Sequence, residues 1–235
     1  MKKVFLFLVF FKMSFALGQD VQFIEKENIL DRPKTQQFVC LLEPTSLAKS
    51  KFVGRVKATG ASQNVVALYE AIKRETQPLG ANSFKFLSFK WYDANVSELI
   101  LDVFYSDDST LQDNTSHIPL NKVYVFGSPD LSVNSNQSFK ANSEKYKVDN
   151  GKYRVFDVEV GQVCKITKGG FTGMSLWVDG EKGKLSTFLS FNGIGVSNIG
   201  LNPRGGGGIA INTGKINHVE QNLALLLLRV FSIQE

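Results

Sequence analysis

The chain has few residues equipped for chemistry, and their spacing decides what each could do. The most conspicuous stretch is LNPRGGGGIAINTGK, residues 201–215, where Arg204, four glycines and a Gly-Lys pair follow one another. A phosphate-binding loop needs a glycine, four residues, then Gly-Lys-Ser/Thr, so that backbone N–H groups wrap the phosphates and a hydroxyl holds magnesium. Counting back from Gly214 puts Ile209 where that first glycine belongs, and Ile216 follows Lys215 without a hydroxyl. Gly205–Gly208 therefore reads as a surface loop of glycines that tolerate any backbone angle.

Nucleophilic hydrolysis fares no better. An exposed serine elbow requires Gly-x-Ser-x-Gly, whereas GMSLW (Gly173–Trp177) and GVSNI (Gly195–Ile199) close on Trp and Ile. The two histidines, His117 and His218, lie in polar settings far apart in sequence, so a Ser-His or Cys164-His pair would have to be assembled by tertiary structure. A structural zinc site needs four thiolate or imidazole ligands, usually in close pairs, and two cysteines with two lone histidines do not offer them. The acids of SDDSTLQDN (Ser106–Asn114) lack the ligand spacing and central glycine of an EF-hand loop. No catalytic, cofactor-binding or metal-binding residue is assigned, and no cofactor is expected.

Cys40 and Cys164 leave two readings open. In an oxidising compartment they would form one disulfide closing a long loop. As unrelated thiols they would behave as small buried hydrophobes, which suits their apolar contexts QFVCLL and GQVCKI.

The compartment is read from the first residues. Lys2 and Lys3 precede the apolar run Val4–Phe11, and Ala16-Leu17-Gly18 offers small residues before Gln19. That order of charged, apolar and small residues is a secretory signal peptide over 1–18, and it predicts an exported protein: periplasmic, outer-surface or secreted. The leader also carries much of the positive charge. Its three lysines, taken from 27 basic residues, leave 24 against 22 acids, a net +2 for residues 19–235. The remaining lysines are interspersed with Asp, Glu and Asn, as on a solvated surface, so nucleic acid is not an expected partner. No transmembrane span is expected in the mature chain, because LALLLLRVF (Leu223–Phe231) is shorter than the roughly 20 residues a span requires. It reads as a buried core element, strand or helix.

With 43% hydrophobic residues and 19 phenylalanines the chain can build a substantial core. Residues 19–36 read as a polar lead-in. QQFVCLL and KFVGRVKAT read as β-rich runs. From Asn64 to about Gln77 the apolar positions Val65, Leu68, Ile72 and Leu79 recur at helical spacing, with Asn64 or Ser62 as the cap and Gly80 as the left-handed terminator. SFKFLSFKW and SELILDVFY alternate like strands. These segments predict a β-β-α-β-β unit over 37–105. The cluster of Asp, Ser, Asn and Thr over 106–118 reads as a linker or long loop. Short β-type runs divided by Gly, Asp and Asn, with no clear helix, then predict a β-sandwich-like unit over 119–235. The fold class expected is α+β.

LGANSFKF (Leu79–Phe86) resembles the helix-to-strand junction of small YbjQ-like α+β domains of bacterial envelope proteins, with Gly80, Ala81 and Asn82 matching and Ser83 and Pro78 departing from the pattern. The physical reading of these residues is structural: Gly80 turns the chain, Ala81 permits close packing, and Asn82 satisfies backbone groups. The order of leader, GANSFK, KVYVFG and KGGFTGMSLWV is similar to a family of exported Bacteroidetes proteins, which implies export and brings no activity with it. Together these readings predict an exported envelope or secreted protein that is a non-enzymatic recognition or structural module, its partner an envelope protein or surface component. The alternative is a hydrolase with its site in the cleft between the two units.

Overall fold

In the computed structural model the described residues are 19–27, 37–60, 64–92, 96–132, 134–169, 173–191, 194 and 216–235. The leader and the Gly205–Gly208 stretch lie outside them. The N-terminal part is built from β1 (Asp20–Lys26), β2 (Val39–Cys40), β3 (Ser50–Gly60), α1 (Val65–Thr76), β4 (Ser83–Trp91) and β5 (Ser97–Ser106). Its strands form one sheet in the order β1-β3-β5-β4-β2, antiparallel except for β2 alongside β4. Residues 20–26, expected as part of a lead-in, are thus an edge strand. Their partial alternation, with Val21 and Phe23 facing the core, is diluted by acids and amides that an edge tolerates.

Helix α1 forms where the apolar spacing placed it. Asn64 caps it by accepting the Val66 N–H at 3.0 Å, and Val65, Leu68, Tyr69 and Ile72 are buried against the sheet. Lys73 and Arg74 sit in the last turn, where the carbonyl end of the helix dipole favours cations. Pro78 fits because it lies in a short 3-10 turn, Gln77–Leu79, at a position needing no N–H donor. Gly80 then takes φ 89, the left-handed conformation expected of it.

The acidic stretch expected as a linker is instead α2 (Asp108–Ser116). Asp107 caps it, accepting the Thr110 N–H at 2.8 Å, and that bond holds its carboxyl below the ordinary value. The helix shows no apolar periodicity because it docks through amide hydrogen bonds. Asn114, 1% exposed, accepts from the Leu42 N–H and the Thr45 hydroxyl and donates to the Cys40 carbonyl.

The rest of the chain runs through β6 (Lys122–Phe126), β7 (Asn136–Ala141), β8 (Glu144–Asp149), β9 (Lys152–Asp157), β10 (Val163–Lys168), β11 (Met174–Asp179), β12 (Thr187–Ser190), β13 (Asn217–His218), α3 (Gln221–Val230) and β14 (Ser232–Ile233). Two sheets result. One is antiparallel, in the order β11-β10-β7-β8. The other is mixed, in the order β13-β12-β6-β9-β14, with β12 parallel to β6 and β14 parallel to β9. Alternation along β6 splits its side chains between two cores. Val123 and Val125 join Phe139, Val148, Cys164 and Ile166 in a core shared with the antiparallel sheet. Tyr124 and Phe126 point the other way, into a larger core with Phe38, Phe84, Leu68 and residues of α3.

Of the two readings left open for Leu223–Phe231, strand or helix, the structure shows largely helix, with Leu223 to Leu227 all buried. Its run of leucines has no polar face in the middle because α3 packs against β2 and β4 while also joining the core beneath β6. Among the described residues no helix is long and apolar enough to cross a membrane. The structure is a predominantly β, α+β fold.

Cys40 and Cys164 are free and buried in the two different cores. Burial pushes the Cys40 thiol up to about 12 and raises that of Cys164.

Candidate functional site

The strongest candidate site is the outer face of the β11-β10-β7-β8 sheet. Its geometry begins at a two-residue turn. Asn142 and Ser143 both have positive φ (48 and 77), the combination that matches the twist of paired strands and fixes their register. The register places Lys140 directly opposite Lys145, and Ser138 opposite Lys147. Asn142 also holds the turn to β10, with its side chain accepting the Lys165 N–H at 2.8 Å and its own N–H donating to the Lys165 carbonyl. Across β10 and β11, Thr167 faces both Lys140 and Ser175, and Lys165 faces Trp177.

Because side chains of paired residues share a face, these positions form one continuous surface. Phe139, Ala141, Val148, Cys164 and Ile166, at the alternate positions, fill the core beneath. A groove of about 650 Å³ borders this face, lined in part by Ser138, Lys140, Lys145, Tyr146, Lys147 and Thr167, and Lys165, Ser175 and Trp177 lie outside its lining. Arg154 and Gln234 line it as well. Arg154 is fixed there by donating to the Lys147 and Glu235 backbone oxygens, and its guanidinium stands 5.3 Å from the Tyr146 ring centroid. Gln234 accepts the Asp149 N–H at 2.7 Å, which ties the tail of the chain to the edge of β8.

Elsewhere on the molecule Lys57, Lys85, Lys122, Lys152 and Lys184 each pair with a carboxylate, while Lys49, Lys51, Lys90 and Lys182 have no ion pair among the described residues. What distinguishes this face is that its unpaired lysines lie side by side. Among the described residues no ion pair involves Lys140, Lys145, Lys147 or Lys165. The nearest acid in sequence, Glu144, accepts the Tyr146 hydroxyl at 2.6 Å. Lys165 instead leans over Trp177, with Nζ 5.1 Å from the ring centroid, and the indole remains 59% exposed. Thr167 and Ser175 share a hydroxyl hydrogen bond of 2.9 Å between Trp177 and Lys140. On the underside, Lys168 donates to the Gln137 side chain and the Ser138 carbonyl, and its burial lowers its pKa.

The lysines read in sequence as scattered over a solvated surface are thus partly gathered on one face. The signal was present in SFKANSEKYK: Lys140, Lys145 and Lys147 take alternate positions on either side of a two-residue turn. Reading the pairing register, rather than spacing along the chain, would have found it.

The residues singled out beforehand play other parts. Ala81 is fully buried, and Asn82 is the hub of a buried polar network. Its amide donates to the Ser106 carbonyl and its oxygen accepts the Ser106 N–H, while the Ser83 and Ser50 hydroxyls each lie 2.7 Å from that of Ser106. This network pins the start of β4 to the end of β5. His117 follows α2, with Nε2 3.7 Å from an Asp113 carboxylate oxygen, and His218 lies in β13. Among the described residues no group of three His, Cys, Asp or Glu side chains could hold a metal ion.

A second cleft, of about 500 Å³, lies between α1, α2, the segment around β2 and the start of α3. Its ionisable groups are Tyr69, Lys73 and Glu220. Glu220 caps α3, with one oxygen accepting the Asn222 N–H and the other the Leu223 N–H. Tyr69 has its pKa raised, first by burial and then by the Glu220 charge, and Lys73 stands over its ring at 5.8 Å.

Comparison with protein-family models, curated proteins and solved structures finds no match.

Proposed function

We propose that the protein is an exported, non-enzymatic recognition module of the cell envelope or its surroundings, which binds an anionic surface component through the lysine face of the β11-β10-β7-β8 sheet. We read the chain as an N-terminal β-β-α-β-β unit, supplying support, joined to a sandwich-like unit that carries the site. One observation carries the reading: Lys140 and Lys145 stand directly opposite each other beside Lys147 and Lys165, with no ion pair to any of them among the described residues. Like charges directly opposite on paired strands destabilise a sheet. Such an arrangement is understandable where a ligand brings the missing negative charge.

Retention on dextran sulfate tests it. The protein without its leader should be held at low salt and released as salt rises. The variant with Lys140, Lys145 and Lys147 all changed to Gln should pass through unretained while keeping its thermal transition. Equal retention of the two would refute the site. Intact-mass measurement of protein from the native host tests export, which requires loss of the leader.

A further inference from the structure

We propose that the ligand of this face is a linear acidic polysaccharide, a chain bearing uronic-acid carboxylates, lying across the strands from Trp177 toward Arg154. This rests on the reading of the lysine face as an anion-binding site and names the class of anion.

Three features point to a sugar chain. The first is the pairing of an exposed indole with a cation: Trp177 is 59% exposed and Lys165 Nζ lies 5.1 Å from its ring centroid. A pyranose ring has an apolar C–H face that stacks on an aromatic plane. A uronate adds a carboxylate at the ring's edge, which Lys165 can receive by swinging off the indole face it covers. One subsite would then supply both contacts.

The second feature is the hydroxyl pair of Thr167 and Ser175, 2.9 Å apart, which lies between that subsite and Lys140. Neutral hydroxyls that both donate and accept suit sugar hydroxyls. The third is the spacing of the charges. Adjacent strands lie about 4.8 Å apart and successive outward residues on a strand about 7 Å apart. Lys140, Lys145 and Lys147 therefore form a regular array along the groove, suited to charges repeating along a polymer. The groove of about 650 Å³ beside Lys140, Lys145 and Lys147 gives room for rings that continue beyond the Trp177 subsite.

Two other polyanions fit less well. Single-stranded nucleic acid is gripped by successive aromatic platforms under successive bases, and Trp177 stands alone as the aromatic ring of the outward positions described above. A bilayer of anionic lipid would be met by apolar side chains inserted around the cations; here the exposed apolar groups, Trp177 and Val163, lie beside Lys165 alone, while Ser138, Thr167 and Ser175 fill the positions among the other lysines.

The test is titration of the leaderless protein with four probes: polygalacturonate, its fully methyl-esterified form, a single-stranded oligonucleotide, and vesicles containing phosphatidylglycerol. Polygalacturonate should bind, and esterification, which removes the charge and keeps the sugar, should abolish binding. The double variant Lys140→Gln/Lys145→Gln should bind about tenfold or more weakly with a flatter salt dependence, as expected when fewer counterions are released. Trp177→Ala should weaken binding several-fold and leave the salt dependence unchanged. The proposal is overturned if the oligonucleotide or the vesicles bind as tightly as polygalacturonate, or if Trp177→Ala leaves the affinity intact. Failure of every polyanion, dextran sulfate included, would remove the underlying anion site. Binding of dextran sulfate without polygalacturonate would overturn the uronate assignment and leave the anion site standing.

Discussion

Replacing Asn114 by Ala should cost about 3 kcal/mol. Asn114 is 1% exposed and makes three hydrogen bonds: to the Leu42 N–H at 2.8 Å, the Thr45 hydroxyl at 2.7 Å and the Cys40 carbonyl at 3.0 Å. Truncation leaves all three groups facing a small void. Each buried polar group left unpaired costs about 1–3 kcal/mol. The Thr45 hydroxyl can rotate toward another acceptor, so we count it little, and the two backbone groups carry most of the loss. Alanine returns up to about 0.7 kcal/mol through better helix propensity in α2. For a chain of this size a loss of about 3 kcal/mol lowers Tm by roughly 6–12 °C.

Asn114→Asp separates hydrogen bonding from packing. A protonated Asp can donate to the Cys40 carbonyl and accept from Leu42 and Thr45, whereas the ionised form faces that carbonyl with a buried negative charge. Its folded-state pKa must then rise above the ordinary value of about 3.9. The folded state holds the proton more tightly, so stability relative to wild type is preserved below that value and lost as pH rises through the folded pKa. Differential scanning calorimetry of the three proteins from acid to neutral pH is the assay. A Tm for Asn114→Ala within about 2 °C of wild type, or an Asn114→Asp deficit that does not grow with pH, would refute the reasoning.

Three further outcomes are expected. Gly80→Val should lower stability by about 1 kcal/mol or more, because a β-branched residue is strained at φ 89; chemical denaturation measures it, and an unchanged midpoint would contradict it. Thiol titration should count two free cysteines only after denaturation. Because burial raises the Cys40 thiol to about 12, stability should decline as pH rises above the ordinary value of about 8.5, and Cys40→Ala should lose that part of the decline.

Local physics made part of this protein legible from its sequence. The spacing of Val65, Leu68 and Ile72, a capping Asn64 and a terminating Gly80 define α1 because helix ends and amphipathic stripes are properties of nearby residues. Strict alternation in SELILDVFY marks β5 for the same reason. Helix α2 was hidden because its docking rests on Asn114 and on partners about 70 residues upstream, which leave no periodic trace. The leucines of α3 declared burial, and only contact with two parts of the fold decided that they form a helix. The separation of Cys40 and Cys164 into different cores was likewise a tertiary outcome. So was the candidate site. Each lysine is ordinary in the chain, and the pairing of β7 with β8 and of β10 with β11 brings Lys140, Lys145, Lys147, Lys165 and Trp177 onto one surface. Strand register is set by turns and by the fit of two cores, so charge that looks dispersed along a sequence can be concentrated in space.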